Sequence, residues 1–342
     1  MQIFRLLLYP FALLYGLVVS IRNKLFDAGV FKSYKHVVPT IVVGNLSVGG
    51  TGKSPHAEWL IKVFQEKYKL AVLSRGYGRK TRGFKEVYTD SKAIDVGDEP
   101  LQMKRKFPGI AVVVCEDRVE GLKHLQQTVN PNLILLDDAF QHRAVSSTCS
   151  ILLTTYQKPF FKDHLLPSGN LRECKSGVVR ASMIVVTKTP EHPDEKEMKS
   201  VGNLLKSYGL PYFFSSVFYG KLKPLFSDDS NLTIDLSNTN CLLVTGIADA
   251  SLLVENLSKK FKTLKYLGFK DHHNYTLGDI QRIRNLFGNF AHPKIIVTTE
   301  KDAMRLYEFS ELEELPIFYQ EISISFRGKE QDIINAINQY VG

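Results

Sequence analysis

The sequence predicts an α/β protein: a doubly wound parallel sheet, a second and smaller α/β domain, and a membrane-associating helix ahead of both. Three observations carry this. Short runs rich in Val, Ile and Leu recur with helical stretches between them. Such runs, in place of polar–apolar alternation, mark strands covered on both faces. The series restarts beyond about residue 210, and residues 1–24 hold an apolar stretch without charge.

That stretch comes first. From residue 6 to 19 nothing is charged or strongly polar; Arg5 precedes the run, and Arg22 and Lys24 follow it. It is shorter than the roughly 20 residues a spanning helix needs, and Pro10 is expected to kink it. No small-x-small cleavage site follows before Asp27. Three readings fit: an interfacial anchor, a buried helix and a spanning segment. The anchor accounts for Phe4, Tyr9, Phe11 and Tyr15 within the run and for Arg22 and Lys24 beside lipid phosphates.

Strands are predicted over 40–43, 70–74, 111–114, 133–136, 150–154 and 183–187, with helices over 55–67 and 118–127. These make a core of residues 25–200. The second series has strands over 212–217, 241–245 and 294–298 and helices over 249–260 and 276–286, with Thr276 as an N-cap. It fills 210–325, and a polar loop or hairpin falls at 227–240. A closing helix over 331–340 lies in a last segment, 326–342, free to pack back on the core.

Composition sets bounds. A chain of 342 residues suits two domains. With 44% hydrophobic and 23% charged residues it can bury a core, and nothing suggests disorder. A net charge of +9 suits a nucleotide, an anionic membrane or a nucleic acid. No stretch matches an RNA- or DNA-binding signature, so nucleic acid is not expected. Cys115, Cys149, Cys174 and Cys241 form no C-x-x-C pair, which argues against a zinc site or disulfide framework and fits a reducing compartment.

The strongest local signal runs from Gly44 through Asn45, Leu46, Ser47, Val48, Gly49, Gly50, Thr51, Gly52 and Lys53 to Ser54. It follows a strand and opens a helix, the context of a phosphate-binding P-loop, which makes the first domain P-loop NTPase-like. Ser47 to Ser54 are the nucleotide-binding candidates. Glycines let backbone N–H groups close around phosphate oxygens, and the helix N-terminus adds positive partial charge. Lys53 reaches the β- and γ-phosphates; the Ser54 hydroxyl serves Mg²⁺. The strict G-x-x-x-x-G-K-[ST] pattern has Gly where this chain has Ser47. A second apolar strand ends in Asp137 and Asp138, a Walker B pattern whose carboxylates serve the metal. Thr187-Lys188-Thr189-Pro190 lacks the Asp of a guanine-reading N/T-K-x-D, and Thr299-Glu300-Lys301-Asp302 has the wrong spacing, so ATP is the expected nucleotide.

Further clusters sit at predicted strand ends, where open α/β sheets bind ligands. Arg75, Tyr77 and Arg79 occupy a Gly-containing loop suited to phosphate. Gly97-Asp98-Glu99-Pro100 is a turn with two acids. Gln141 and His142 follow the Walker B pair, and Arg172 neighbours Glu173. Asp271-His272-His273 suits metal ligands, a helix cap or a catalytic imidazole.

Taken together, residues 44–55, 73–79, 96–100, 137–142, 166–173 and 269–273 resemble the tetraacyldisaccharide 4′-kinase family of lipid A biosynthesis, in family order. Ser54 stands where the family often has Thr, keeping the hydroxyl, and Ala139 where it often has Gly. The resemblance implies an ATP- and Mg²⁺-dependent kinase. It would phosphorylate the 4′-hydroxyl of a tetraacylated glucosamine disaccharide 1-phosphate. It also implies a place on the cytoplasmic face of the inner membrane, peripheral or held by one N-terminal anchor, and a monomer is expected. Carried over by position, Lys53 and Asp98 are catalytic, Asp98 as base, with His272 rather than His273 as its partner. Arg75, Tyr77, Arg79, Gln141, His142, Arg172 and Glu173 hold the lipid substrate, and Ser54, Asp137 and Asp138 the metal. Asp98 and His272 would meet only if the second domain closes over the first. The rival readings are a membrane-tethered P-loop nucleotide switch and another P-loop ligase or kinase.

Overall fold

The structure, a computed structural model, describes residues 7–227 and 234–342. Phe4 and Arg5, and part of the polar loop expected over 227–240, lie outside the described residues. Helix α1 (Tyr9–Asp27) has Pro10 in its first turn. A missing N–H costs nothing there, so Pro10 starts the helix and does not kink it. Among the described residues no helix is long and apolar enough to cross a membrane. Ala12 and Gly16 are buried, while Leu7, Phe11, Leu14, Val18 and Ile21 form an exposed row along the other side.

The large sheet has β1 (Thr40–Asn45), β2 (Leu70–Ser74), β3 (Lys85–Glu86), β4 (Ala111–Val114), β5 (Leu133–Asp137), β6 (Cys149–Thr155), β7 (Met183–Thr187) and β8 (Tyr212–Phe214). Their order is β8-β7-β6-β1-β5-β2-β4-β3, parallel except for the edge strand β3. Every residue of β1, β2 and β5 is buried, as their β-branched and Leu-rich runs require when helices cover both faces. Helices α2 (Lys53–Phe64), α3 (Ala93–Val96), α4 (Asp98–Lys106), α5 (Arg118–Thr128) and α6 (Glu195–Lys206) link these strands. β1 lies beside β5 with Val43 opposite Asp137. Their carboxyl ends therefore deliver the Gly-rich loop and the acid pair side by side.

The second sheet has β9 (Ser216–Pro224), β10 (Asn240–Thr245), β11 (Thr263–Gly268), β12 (Lys294–Thr299) and β13 (Ile317–Ser325), ordered β9-β13-β12-β10-β11. Only β9 runs antiparallel to its neighbour. Helices α7 (Ser251–Ser258), α8 (Leu277–Gly288) and α9 (Glu300–Leu306) belong to it, and α10 (Glu330–Val341) ends the chain. The run expected as one strand over 212–217 is two strands in two sheets, parted at the buried Ser215. Thr276 caps α8 as expected, in a reciprocal box with Asp279. Ile333, Ile337 and Val341 of α10 join the apolar core that holds Ile61 and Phe64, so the last helix packs on the first lobe. The same core continues from Leu101 and Met103 of α4 to Ala303 and Leu306 of α9, which fixes the two lobes face to face.

Candidate active site

The Gly-rich loop turns through left-handed backbone at Gly49 (φ 100°) and Gly52 (φ 86°), where a side chain would be strained. Ser47 needs no such conformation: it lies in a bridge to Leu171, so the departure from the strict motif costs nothing. Gly52 is the N-cap of α2, and no acid occupies that helix's first turn. The positive end of the helix is left for an anion. Lys53 Nζ lies 3.6 Å from Asp138.

Behind the loop, buried His56 donates from Nδ1 to the Gly52 carbonyl at 2.7 Å and accepts at Nε2 from Ser215 Oγ at 2.9 Å. Burial pushes this imidazole down to about 4. The unfolded chain therefore takes up the proton first. The contribution is whole above about 6.5 and is lost as pH falls toward the folded value. Between pH 7.5 and pH 5 this costs about 2 kcal/mol. Thermal or urea unfolding should show His56→Gln losing about that much less than wild type over the same interval. Equal losses in the two proteins would contradict the assignment.

Asp137 is buried, and its Oδ1 has no hydrogen-bond partner. Burial, then the charges of Glu99 and Asp138, push Asp137 up to about 7, against the pull of Lys53 and Arg118. Arg172 Nη1 lies 3.3 Å from Asp138. Among the described residues no three His, Cys, Asp or Glu side chains gather to hold a metal unaided. An unsatisfied carboxylate among like charges, on the same cleft wall as Ser54, fits a hard divalent cation that completes its shell with phosphate and water, as Mg²⁺ does.

The phosphate loop and the acid pair open on a cleft of about 880 Å³ between the lobes. Val48 to Ser54, Arg75, Tyr77, Asp137, Asp138, Gln141, His142, Arg172 and His272 line it. Burial and then the nearby charge of Arg118 push His142 down to about 4. Its ring is thus neutral at neutral pH, with Nε2 buried and unpartnered.

Asp98 and His272 meet across the lobes, Oδ2 to Nδ1 at 3.1 Å. The expected turn over 97–100 is the start of α4, with Asp98 in its first turn. Gly97 (φ 91°) permits this, since a Cβ there would press on the Tyr77 carbonyl and the Gly76 backbone. Asp98 is 1% exposed, and its Oδ1 accepts from Arg305 Nε. It is not on the cleft wall; His272 is. His272 has φ 55°, a conformation that is costly for a residue with a side chain and recurs at functional sites. The Tyr77 ring packs edge-on against its imidazole.

Two expected substrate ligands stand elsewhere. Arg79 pairs with Glu116 at 2.9 Å and donates to the Gly83 carbonyl, with its side chain 2% exposed and off the cleft. Buried Glu173 accepts from Gln141 Nε2 at 2.9 Å, Arg180 at 2.6 Å and Asn23 of α1 at 3.1 Å. It ties the N-terminal helix to the loop after the acid pair.

Sequence reading assigned no role to Lys301, Arg305, Arg118, Glu99 or Lys188. Lys301 Nζ lies 2.9 Å from His272 Nε2. Buried Arg118 lines the cleft, with Nη1 donating to the Cys115 carbonyl at 2.9 Å and Nε unpartnered. Lys188, on the cleft wall at the end of β7, is pushed down by burial. For Lys188, Lys301, Arg118 and Glu99 the available signal was position, just past the carboxyl end of a strand or at the start of a helix; Arg305, in the last turn of α9, had none.

Comparison with known proteins agrees with this architecture. The sequence model of the family described as tetraacyldisaccharide-1-P 4′-kinase matches residues 4–341. A tetraacyldisaccharide 4′-kinase from Bacteroides thetaiotaomicron is 44% identical over 96% of this chain and 90% of its own. One from Flavobacterium johnsoniae is 41% identical over 100% and 98%. The crystal structure of LpxK from Aquifex aeolicus in complex with ATP superposes with a TM-score of 0.78 at 29% identity, covering 99% of this chain and all of that one. The cleft, the loop and the acid pair thus sit in a chain that belongs to the tetraacyldisaccharide-1-P 4′-kinase family.

Proposed function

We propose that the chain transfers the γ-phosphate of ATP to the 4′-hydroxyl of a tetraacylated glucosamine disaccharide 1-phosphate, with Asp98 and His272 activating that hydroxyl. One observation carries the site reading: a phosphate-binding loop from one lobe and His272 from the other, paired across the lobes with buried Asp98, line a single cleft. Backbone amides of Gly49 to Lys53 and the Lys53 ammonium orient the triphosphate. Arg75, Arg118 and Arg172 supply positive charge along the cleft for substrate phosphate. Ser54, Asp137 and Asp138 would hold Mg²⁺, which when bound would offset negative charge on the triphosphate. The sugar oxygen bonds to the γ-phosphorus as the bridging P–O bond breaks, with its electron pair leaving on ADP. The hydroxyl proton passes to the pair. His272 is its cleft-facing member, and buried Asp98 shares the proton through it. The closed lobes keep water from competing with the sugar.

The acceptor's acyl chains account for α1. Its exposed row, Leu7, Phe11, Leu14, Val18 and Ile21, lies at helical spacing and suits an interfacial helix. Tyr15 Oη donates to the Arg172 carbonyl at 2.7 Å, which couples that helix to the cleft. The chain then acts as a monomer at the cytoplasmic face of the inner membrane. Leu14→Asp with Val18→Asp should cut co-sedimentation with anionic phospholipid vesicles about tenfold or more while ATP binding stays unchanged; undiminished sedimentation would refute the anchor.

The reaction is tested by mass spectrometry of the lipid disaccharide 1-phosphate after incubation with the protein, ATP and Mg²⁺. The lipid is expected to gain one phosphate at the 4′ position. Hydrolysis of ATP with the lipid unchanged would overturn the proposal.

A further inference from the structure

Helix α9 presents Lys301 and Arg305 one turn apart, the spacing at which two side chains share a helix face. Each grips one half of the Asp98–His272 pair. Arg305 donates from Nε to Asp98 Oδ1 and from Nη1 to the His273 carbonyl. Lys301 Nζ meets His272 Nε2 at 2.9 Å. An ammonium has only protons to give, so Nε2 accepts in this contact and carries no proton. The ring's proton then sits on Nδ1, facing Asp98 Oδ2 at 3.1 Å.

The clamp itself is anchored. Buried Asp302 accepts from the Gly246 N–H at 2.9 Å and from Tyr275 Oη at 3.1 Å. The His272 backbone N–H in turn donates to the Gly246 carbonyl at 3.1 Å. The helix and the loop that carries the imidazole therefore share one support. Lys301 is at the same time paired with two carboxylates, Asp271 at 3.2 Å and Glu99 at 3.7 Å. It can leave Nε2 without leaving its charge unpaired.

We propose that Lys301 and Arg305 are positioning residues for phosphoryl transfer. Arg305 fixes the carboxylate. Lys301 selects the imidazole tautomer whose unprotonated Nε2 faces the cleft, and stays paired with Asp271 and Glu99 when the acceptor hydroxyl takes its place at Nε2. This rests on the reading of Asp98 and His272 as the activating pair. A latch that merely held the lobes together would affect stability without setting the tautomer.

The test uses full-length protein with ¹⁵N-labelled histidine, the His272 signals being identified by their loss in His272→Gln. Wild type should show a protonated Nδ1 and an unprotonated Nε2. Lys301→Met should shift signal toward the other tautomer and lower kcat about tenfold, with KM for ATP within about threefold; Lys301→Arg should recover most of both. An unchanged His272 signal, or an unchanged kcat, in Lys301→Met overturns the proposal. If the Met variant does not fold, Lys301→Gln is read in the same way. Full turnover in His272→Gln itself would instead overturn the underlying pair, so the two failures are distinguishable.

Discussion

Asp98→Ala is expected to lower kcat by about 10²–10⁴-fold, the range for loss of a positioned general acid–base group, while ATP affinity stays within about threefold of wild type. The split follows from position. Asp98 opens α4 and touches His272 and Arg305, while the phosphate loop is built on β1 and α2. Removing the carboxylate leaves the imidazole without an acceptor for Nδ1–H and strands a buried guanidinium. That stranding costs stability, about 3–5 kcal/mol for a broken buried pair, so turnover must be compared at a temperature where both proteins are folded. Because the pair works as a unit, Asp98→Ala combined with His272→Gln should be scarcely worse than the poorer single variant. Steady-state kinetics with ATP and the lipid acceptor, alongside equilibrium ATP binding, decide the matter. Near-wild-type kcat in the single variant would remove Asp98 from the reaction.

How far the sequence could be read depended on whether the information was local. The strand–loop–helix from Thr40 to Phe64 and the apolar strand ending at Asp137 were legible because hydrophobic runs and glycines declare themselves within a few residues. The break at Ser215 was not legible. Tyr212 to Val217 has strand-forming residues on both sides of Ser215 and Ser216, and only pairing with β7 on one side and β13 on the other divides it. Arg79 shows the reverse case. Its motif position suggested phosphate, yet Glu116, from the end of a different strand, takes its charge. Lys301 and Arg305 stayed silent because their partners lie far away in sequence, on α4 and on the loop after β11. A charged pair at helical spacing ordinarily marks nothing more than a solvated face. Asp98 is intermediate: its identity was readable from a motif, its burial was not.

Lys53→Ala should show the opposite balance, with turnover down at least about 10²–10³-fold, the range for removing a preorganised charge that stabilises the transition state, and ATP affinity reduced as well. Lys53 is the first residue of α2, with its side chain 12% exposed and its ammonium 3.6 Å from Asp138. It contributes in two ways. It places positive charge where the β- and γ-phosphates carry negative charge, and it offsets the crowded carboxylates of Glu99, Asp137 and Asp138. Without it those acids keep Arg118 and Arg172 nearby, so the fold should melt within a few degrees of wild type. Lys53→Arg should rescue poorly, because a planar fork cannot occupy the place of a compact ammonium inside the loop. Single-turnover phosphorylation of the lipid separates the terms: a defect that persists at saturating ATP belongs to the chemical step, and one that vanishes belongs to binding. Wild-type transfer by Lys53→Ala would mean that the loop of Gly49 to Ser54 does not grip the nucleotide, whatever its shape.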